Sequence, residues 1–190
     1  GLLDRAVQGI PASTENLSKG YLARRFVDGA ALPLPRRNQV WLGAFTPDEI
    51  GALMRVEGNP WRGVDHWSQQ ALKAPHAGQQ AMYLDQRLYL AEGVLQKVDR
   101  ASMAHGLEIR SPFLDHVFVD LASRLPIKSL WRGSKTKILM RKMLAKELPK
   151  SILQRPKKGF GTPLGDWFRG PSKSLLKHLE EPLEPWLRPE

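Results

Sequence analysis

The sequence contains no cysteine in its 190 residues. Disulfides, thiolate metal sites and a cysteine nucleophile are therefore excluded within this chain. The absence also fits a reducing compartment, and we expect the cytoplasm. No apolar run approaches the ~20 residues of a membrane-spanning helix, and the first residues do not resemble a signal peptide. We therefore expect a soluble protein with no membrane partner.

Several motifs of common enzyme classes are also missing. Gly133-Ser134-Lys135-Thr136 lacks the glycine spacing of a phosphate-binding loop, and there is no HExxH motif. The five histidines are scattered without metal-ligand spacing, which gives a zinc or hydrolase site no support. Patterns typical of strands are almost absent, so we predict an all-α fold.

Acidic residues are too few to balance the basic ones. Nineteen Asp and Glu stand against 29 Lys and Arg, for a net charge of +10. Such a surface attracts nucleic acid, anionic lipid or phosphate-bearing small molecules, and charge alone does not choose among them. With 42% hydrophobic and 25% charged residues, the composition is that of a globular chain and excludes wholesale disorder.

Local signals predict short helices divided by Pro and Gly. The Pro-rich stretch 32–35 predicts a connector, and Thr46-Pro47-Asp48-Glu49 predicts a capping box that starts a helix running to about Arg55. A long central helix is predicted over 79–105. Its apolar stripe consists of Leu84, Leu88, Ala91, Leu95 and Val98. We expect a half-buried helix from its cap at Ser111 to Pro126, and another helix from near Ser134 to before Pro149.

The end of the central helix combines charge, hydroxyl and histidine. Asp99 and Arg100 are candidate site residues there, although charge on a helix more often marks its solvated face. Asp85, Glu92 and Asp99 recur every seven residues beside the apolar stripe, so we expect them to form a narrow acidic row. Such a row either neutralises neighbouring arginines or holds Mg²⁺.

Glu108 and Arg110 precede the predicted helix start at Ser111, where free backbone N–H groups can bind an anion. The equally good alternative is a capped helix with a local ion pair worth ~0–1 kcal/mol.

The loop over 155–163 is the most informative segment. Pro156 stiffens its entry, glycines such as Gly159 allow a close backbone approach, and Arg155, Lys157 and Lys158 supply three cations. This combination favours phosphate binding, with a lysine stabilising developing charge. Nonspecific binding of nucleic acid stays open as an alternative.

Four ordered segments closely resemble the carboxy-terminal synthetase region of glutamine-hydrolysing asparagine synthetases. The segments are Tyr83-Leu84-Asp85, residues 98–104 (VDRASMA), residues 107–116 (LEIRSPFLDH) and residues 155–160 (RPKKGF). The resemblance spans about residues 82–167, and it is loose before residue 75 and after residue 170.

The resemblance implies an enzyme that adenylates a carboxylate, aspartate in the type family, with ATP and Mg²⁺. Ammonia from glutamine then gives the amide, with AMP and pyrophosphate as the other products. It implies Lys157 as the catalytic lysine near the α-phosphate and pyrophosphate. It also implies substrate or ATP binding by the remaining candidates, which are Asp99, Arg100, Glu108, Arg110, Arg155, Lys158 and Gly159.

This chain departs from the family by lacking the glutaminase domain and the Ser-Gly-Gly-x-Asp-Ser pyrophosphate loop. We therefore expect residues 1–170 to be the helical carboxy-terminal part of an α/β adenine-nucleotide α-hydrolase-like synthetase domain, with 171–190 as a tail and the nucleotide-binding sheet absent. Such a piece should be inactive alone, and its uncovered face would promote a homo-oligomer.

Two alternatives remain. Relatives of the family act on other carboxylates, such as β-lactam precursors or cell-surface sugars. From a different class, the Lys and Arg face over 135–146 would suit a basic helical module for nucleic acid or protein, with nucleic acid disfavoured as a partner by the resemblance.

Overall fold

The computed structural model describes residues 18–54, 58–156 and 164–179, together with residues 7 and 9. These residues are mostly helical, as predicted, but a two-stranded sheet makes the all-α prediction wrong in one place. Within the described ranges, no helix is both long and apolar enough to cross a membrane. The chain divides into a unit of residues 1–69 and 160–190 and a unit of residues 70–159.

The helical elements follow one another along the chain with short connections. They are α1 (Lys19–Ala30), α2 (Leu34–Leu42), α3 (Pro47–Leu53), α4 (Arg62–Ala71), α5 (Ala77–Leu84), a π-helical segment (Asp85–Leu95), α6 (Gln96–Met103), a 3₁₀ turn (Pro112–Leu114), α7 (His116–Arg124), α8 (Ile127–Leu130), α9 (Ile138–Leu144), α10 (Lys150–Gln154), α11 (Leu164–Arg169) and a final 3₁₀ segment (Lys173–Leu179). The strands β1 (Trp131–Arg132) and β2 (Lys135–Thr136) lie between α8 and α9.

In the first unit, α1 packs against α2. Gly29 of α1 and Val40 of α2 are buried, and Phe26 stacks on Trp41 with ring centroids 5.6 Å apart. Gly29 makes room for the indole, because a Cβ at this position would lie 2.4 Å from Trp41 Nε1. A side chain at position 29 is therefore incompatible with this packing.

The prediction of a connector over 32–35 is wrong in its second half. Leu34 and Pro35 form the first turn of α2, and Pro33 is the N-cap. A proline is tolerated there because the first helical N–H groups have no intrahelical partner.

The predicted capping box at the start of α3 is confirmed. Thr46 Oγ1 accepts a hydrogen bond from the Glu49 N–H at 3.3 Å, and the Thr46 N–H donates to Glu49 Oε2 at 2.6 Å. Two hydrogen bonds with Thr46 lower the pKa of Glu49 below its usual value. The bond from the Thr46 backbone N–H has the larger effect, and the bond with the Thr46 side chain has the smaller one.

The second unit contains the central helix that the periodicity predicts. Helical structure runs without a break from Ala77 to Met103, but Asp85–Leu95 is π-helical. Each π turn takes about one residue more than an α turn, so a stripe with α spacing drifts around the axis. Leu84 is accordingly fully buried, Leu88 and Ala91 are half-buried, and Leu95 is 37% exposed.

The helix predicted from Ser111 begins four residues later than expected. Residues 112–114 form a 3₁₀ turn, and Asp115 is the N-cap of α7, since its Oδ1 accepts from the Val117 and Phe118 N–H groups at 3.0 and 3.2 Å. The prediction that this helix is half-buried is also wrong on one face, because Val117 and Leu121 are 64% and 60% exposed.

The helix predicted from near Ser134 is likewise displaced. Residues 131–136 form an antiparallel hairpin in which Trp131 pairs with Thr136 and Arg132 with Lys135. Gly133 has φ of +57°, at the first central position of a two-residue turn, where glycine is favoured. Helix α9 therefore begins only at Ile138.

Candidate functional site

A basic groove of about 710 Å³ runs along α9 and α10 in the second unit. Its cations are Lys137, Arg141 and Arg155, and apolar side chains such as Met140 and Leu144 form its floor. None of its described lining residues is acidic. The groove is therefore suited to an anion that carries several negative charges.

Hydrogen bonds fix the two helices that line this groove. A guanidinium nitrogen of Arg141, Nη1, donates to the carbonyl of Leu153 and so ties α9 to α10. The carbonyl of Lys137 accepts the Arg141 N–H at 2.9 Å, which places both cations on the same turn of chain. Arg155 follows the last turn of α10 as its C-cap.

Lys137 has a left-handed backbone conformation, with φ of 54°. It is the only residue other than glycine with positive φ in the described part of the chain. Such a conformation costs about 1–3 kcal/mol and occurs frequently at ligand-binding positions. The sequence interpretation placed Lys137 and Arg141 on the outside of a helix and missed them as site residues. The turn signal of Gly133-Ser134 in the sequence is what could have separated Lys137 from that helix.

The structure places only part of the predicted loop site. Arg155 lies in the basic groove. Lys157, Lys158 and Gly159 lie outside the described residues. Their predicted roles therefore stay predictions.

A second groove, of about 830 Å³, lies between the central helix and residues 109–114. Asp99 lies in it, as do the side chains of Ser102 and Ser111, while Leu90, Val94 and Phe113 are among its apolar lining. The π-helical segment contributes four of the residues that line this groove, and π-helical turns are frequent at functional sites. This groove thus contains one carboxylate in largely apolar surroundings.

A tight reversal of the chain brings the two sides of this groove together. The Ser102 hydroxyl donates to the carbonyl of Asp99 at 3.1 Å, and the Leu107 N–H donates to the carbonyl of Ser102 at 3.0 Å. Gly106 has φ of +67° in this turn, which a residue with a side chain would adopt only with strain. Ser102 itself is buried and was not a predicted site residue.

Arg100, Glu108 and Arg110 do not line either groove. Arg100 is exposed, and its carbonyl accepts the Ala104 N–H at 3.1 Å. Arg110 Nη2 donates to Glu108 Oε1 at 2.6 Å, with the two side chains 84% and 69% exposed. The local ion pair that the sequence analysis left as an alternative is therefore present, and an exposed pair of this kind contributes ~0–1 kcal/mol.

The acidic row does not form a metal site. In residues 18–54, 58–156 and 164–179, no three His, Asp or Glu side chains are grouped so that they could hold a metal ion. Asp85 and Glu92 lie within the π-helical segment, where residues seven apart no longer share a face. The predicted acidic row, with its three carboxylates on one face, is therefore not formed.

The family model and the individual relatives that match this chain all belong to one family. A family model described as asparagine synthase matches residues 3–185. The chain is 33% identical over 165 residues to a Mycobacterium tuberculosis protein provisionally named as a glutamine-hydrolysing asparagine synthetase, covering 77% of this chain and 25% of the relative. It is 33% identical over 97 residues to the glutamine-hydrolysing asparagine synthetase 1 of Bacillus subtilis, covering 51% of this chain and 15% of the relative.

The human glutamine-hydrolysing asparagine synthetase is 35% identical over 118 residues, which cover 59% of this chain and 20% of the human protein. The aligned residues thus cover a quarter or less of each of these relatives. No solved structure matches the chain.

Proposed function

Since this chain belongs to the asparagine synthase family, we propose that it is part of an ATP-dependent ligase that converts a carboxylate into its amide. In the proposed reaction, a carboxylate oxygen of aspartate attacks the α-phosphorus of ATP, and pyrophosphate leaves. Ammonia released from glutamine then attacks the acyl carbon of the acyl-adenylate, and AMP leaves as the amide forms.

The basic groove is the observation that supports this proposal. Lys137, Arg141 and Arg155 surround a space without acidic lining residues, where they would offset the charge of a triphosphate and of departing pyrophosphate. Lys157 follows Arg155 by two residues in the sequence. We assign Lys157 as the catalytic cation, and Lys158 and Gly159 as ATP-binding residues.

We propose that Mg²⁺ binds together with ATP and neutralises phosphate charge. In nucleotide sites Mg²⁺ is held mainly by phosphates and water, with one or two protein carboxylates. The chain's own contribution is therefore the cationic groove.

We assign the groove around Asp99 to the acceptor carboxylate, with Arg100, Glu108 and Arg110 flanking it. Its volume of about 830 Å³ and apolar lining leave space for more than aspartate. A larger carboxylate, such as a β-lactam precursor or a sugar acid, is therefore the alternative substrate class. Reaction with a panel of carboxylates distinguishes the two.

We propose further that residues 1–170 are the helical part of a longer α/β synthetase domain of the adenine-nucleotide α-hydrolase-like type. Two observations support this: the small share of each relative that the chain covers, and the exposed Val117 and Leu121 on α7. Val117 and Leu121 lie one turn apart on α7, and large exposed apolar patches mark interaction sites. Alone, the chain should be inactive and should self-associate through α7.

ATP–pyrophosphate exchange that depends on a carboxylate tests the function. In the family-length enzyme containing this segment, Lys157→Ala and Arg155→Ala should each reduce exchange by about 100-fold or more, as loss of a charge-stabilising group does. Lys146→Ala is the matched control, because Lys146 is exposed and lines neither groove. Undiminished exchange in Lys157→Ala would refute its catalytic assignment.

The rival binding module predicts a different result. Polynucleotide affinity would then fall steeply with salt and depend on Arg141, Lys142 and Lys146. Absence of exchange with every carboxylate, together with such salt-dependent affinity, would favour that module over the ligase.

A further inference from the structure

A third pocket, of about 440 Å³, lies beside the hairpin in the second unit. The indole of Trp131, which is 49% exposed, and the side chain of Ile127 form its apolar wall. His76, Lys128 and Arg132 complete it with the backbone of Gly133, and none of the described residues that line it is acidic. The pocket therefore combines an aromatic face with three groups that can donate to an anion.

The aromatic wall is held in place by its neighbours. Trp131 Nε1–H donates to the carbonyl of Gly133 in the turn that follows. Ile127 is seated against Gly78 so closely that a Cβ at position 78 would lie 2.9 Å from Ile127 Cδ1. A partly exposed indole held in this way is a ready platform on which a planar ring can stack.

The polar groups are placed to receive negative charge. Lys128 and Arg132 make no hydrogen bond or ion pair with any side chain in the described ranges. His76 Nδ1 accepts the Gly78 N–H at 3.0 Å, so the neutral imidazole carries its proton on Nε2, which is a donor. Arg132 also stands directly opposite Lys135 in the hairpin, a like-charge pairing that disfavours the strand pair and concentrates positive charge.

From this arrangement we propose that the pocket binds a mononucleotide. The base stacks on Trp131, and the phosphate oxygens accept from Arg132, Lys128 and His76 Nε2–H. The volume lies within the range of small-molecule sites. The groove that contains Arg155 has no aromatic side chain among its described lining residues, so the two sites differ in chemistry. The inference is independent of the proposed ligase reaction.

Titration of the ¹⁵N-labelled chain with AMP tests the proposal. The indole N–H signal of Trp131 is identified by its loss in Trp131→Phe. We expect this signal to shift saturably with AMP, and adenosine and ribose 5-phosphate each to bind about 5-fold more weakly or worse, because each lacks one half of the recognised ligand.

Two sets of variants locate the binding. Arg132→Gln and Lys128→Gln should each weaken AMP binding about 5-fold or more, while the indole and its packing stay in place. Arg155→Gln is the matched control in the basic groove and should leave the Trp131 shift unchanged, whether or not that groove binds ATP. In Trp131→Leu, where binding is followed by the backbone N–H signals of Lys128 and Arg132, the preference for AMP over ribose 5-phosphate should disappear.

Three results would overturn the proposal. The first is no shift of the Trp131 signal up to about 10 mM AMP, beyond which the affinity is too weak for a specific site. The second is an equal response to ribose 5-phosphate and AMP, which would show attraction of charge without stacking. The third is a shift that survives Arg132→Gln and disappears in Arg155→Gln.

Discussion

Replacing Gly29 by alanine tests how α1 packs on α2. The new Cβ would lie 2.4 Å from Trp41 Nε1 and 2.8 Å from Trp41 Cδ1, well inside contact distance. The indole has to move, although it is stacked on Phe26 with an interplanar angle of 15° and has the Arg37 guanidinium 5.9 Å from its ring centroid. The substitution therefore disturbs the centre of this helix pair.

The magnitude follows from two opposing effects. Overpacking of a tight contact costs typically about 1–3 kcal/mol, while alanine in place of glycine in a helix gains up to about 1 kcal/mol. We expect a net loss of about 1–2 kcal/mol for Gly29→Ala. At Gly51 in α3, no atom beyond its chain neighbours and the backbone of its own helix lies within 4 Å of the Cβ position, so the same substitution there should stabilise by about 0.4–1 kcal/mol.

Urea unfolding followed by far-UV circular dichroism measures both changes in the same chain. The two variants should move the midpoint in opposite directions, and Gly29→Ala should cost less in a Trp41→Leu background, where the ring is absent. A Gly29→Ala variant as stable as Gly51→Ala would refute the packing described for Trp41. An unchanged cost in the Trp41→Leu background would do the same.

Three further predictions concern local interactions. Thr46→Ala should destabilise the chain by about 0.5–2 kcal/mol in thermal unfolding and Thr46→Ser should not, because only alanine lacks the oxygen that accepts the Glu49 N–H. The lowered pKa of Glu49 means that its stabilising bonds are present above its unfolded pKa and are lost as pH falls through the lower folded pKa. Glu49→Gln should therefore be less stable than the parent chain at pH 7 and nearly as stable as it at pH 3. An equal loss of stability at both pH values would contradict the stabilising role given to the Glu49 carboxylate. Glu108→Gln should cost less than about 1 kcal/mol in urea unfolding, because its ion pair with Arg110 is exposed, and a larger cost would show a structural role that the contacts do not.

Two kinds of local signal, a capping box and an apolar period, predict their helices correctly. The Thr46 capping box starts α3. The period of the apolar residues predicts a helix over 79–105, and the structure has helix over 77–103 with a π-helical middle. Competing local signals caused the errors. Ser111-Pro112 and Asp115 both resemble helix starts, and only the structure shows that the Asp115 carboxylate caps α7.

The sequence by itself determined the net charge, the absence of thiol chemistry, most of the helices and the motifs that led to the asparagine synthase family. These properties depend on composition and on neighbours close in the chain. Only the tertiary structure decided that Lys137 and Arg141 share a groove with Arg155, that Asp99 faces residues 109–114, and that His76 lies beside Trp131. Residues far apart in sequence meet through turns whose direction depends on single backbone angles, such as those of Gly106, Gly133 and Lys137, and periodicity carries no information about those angles.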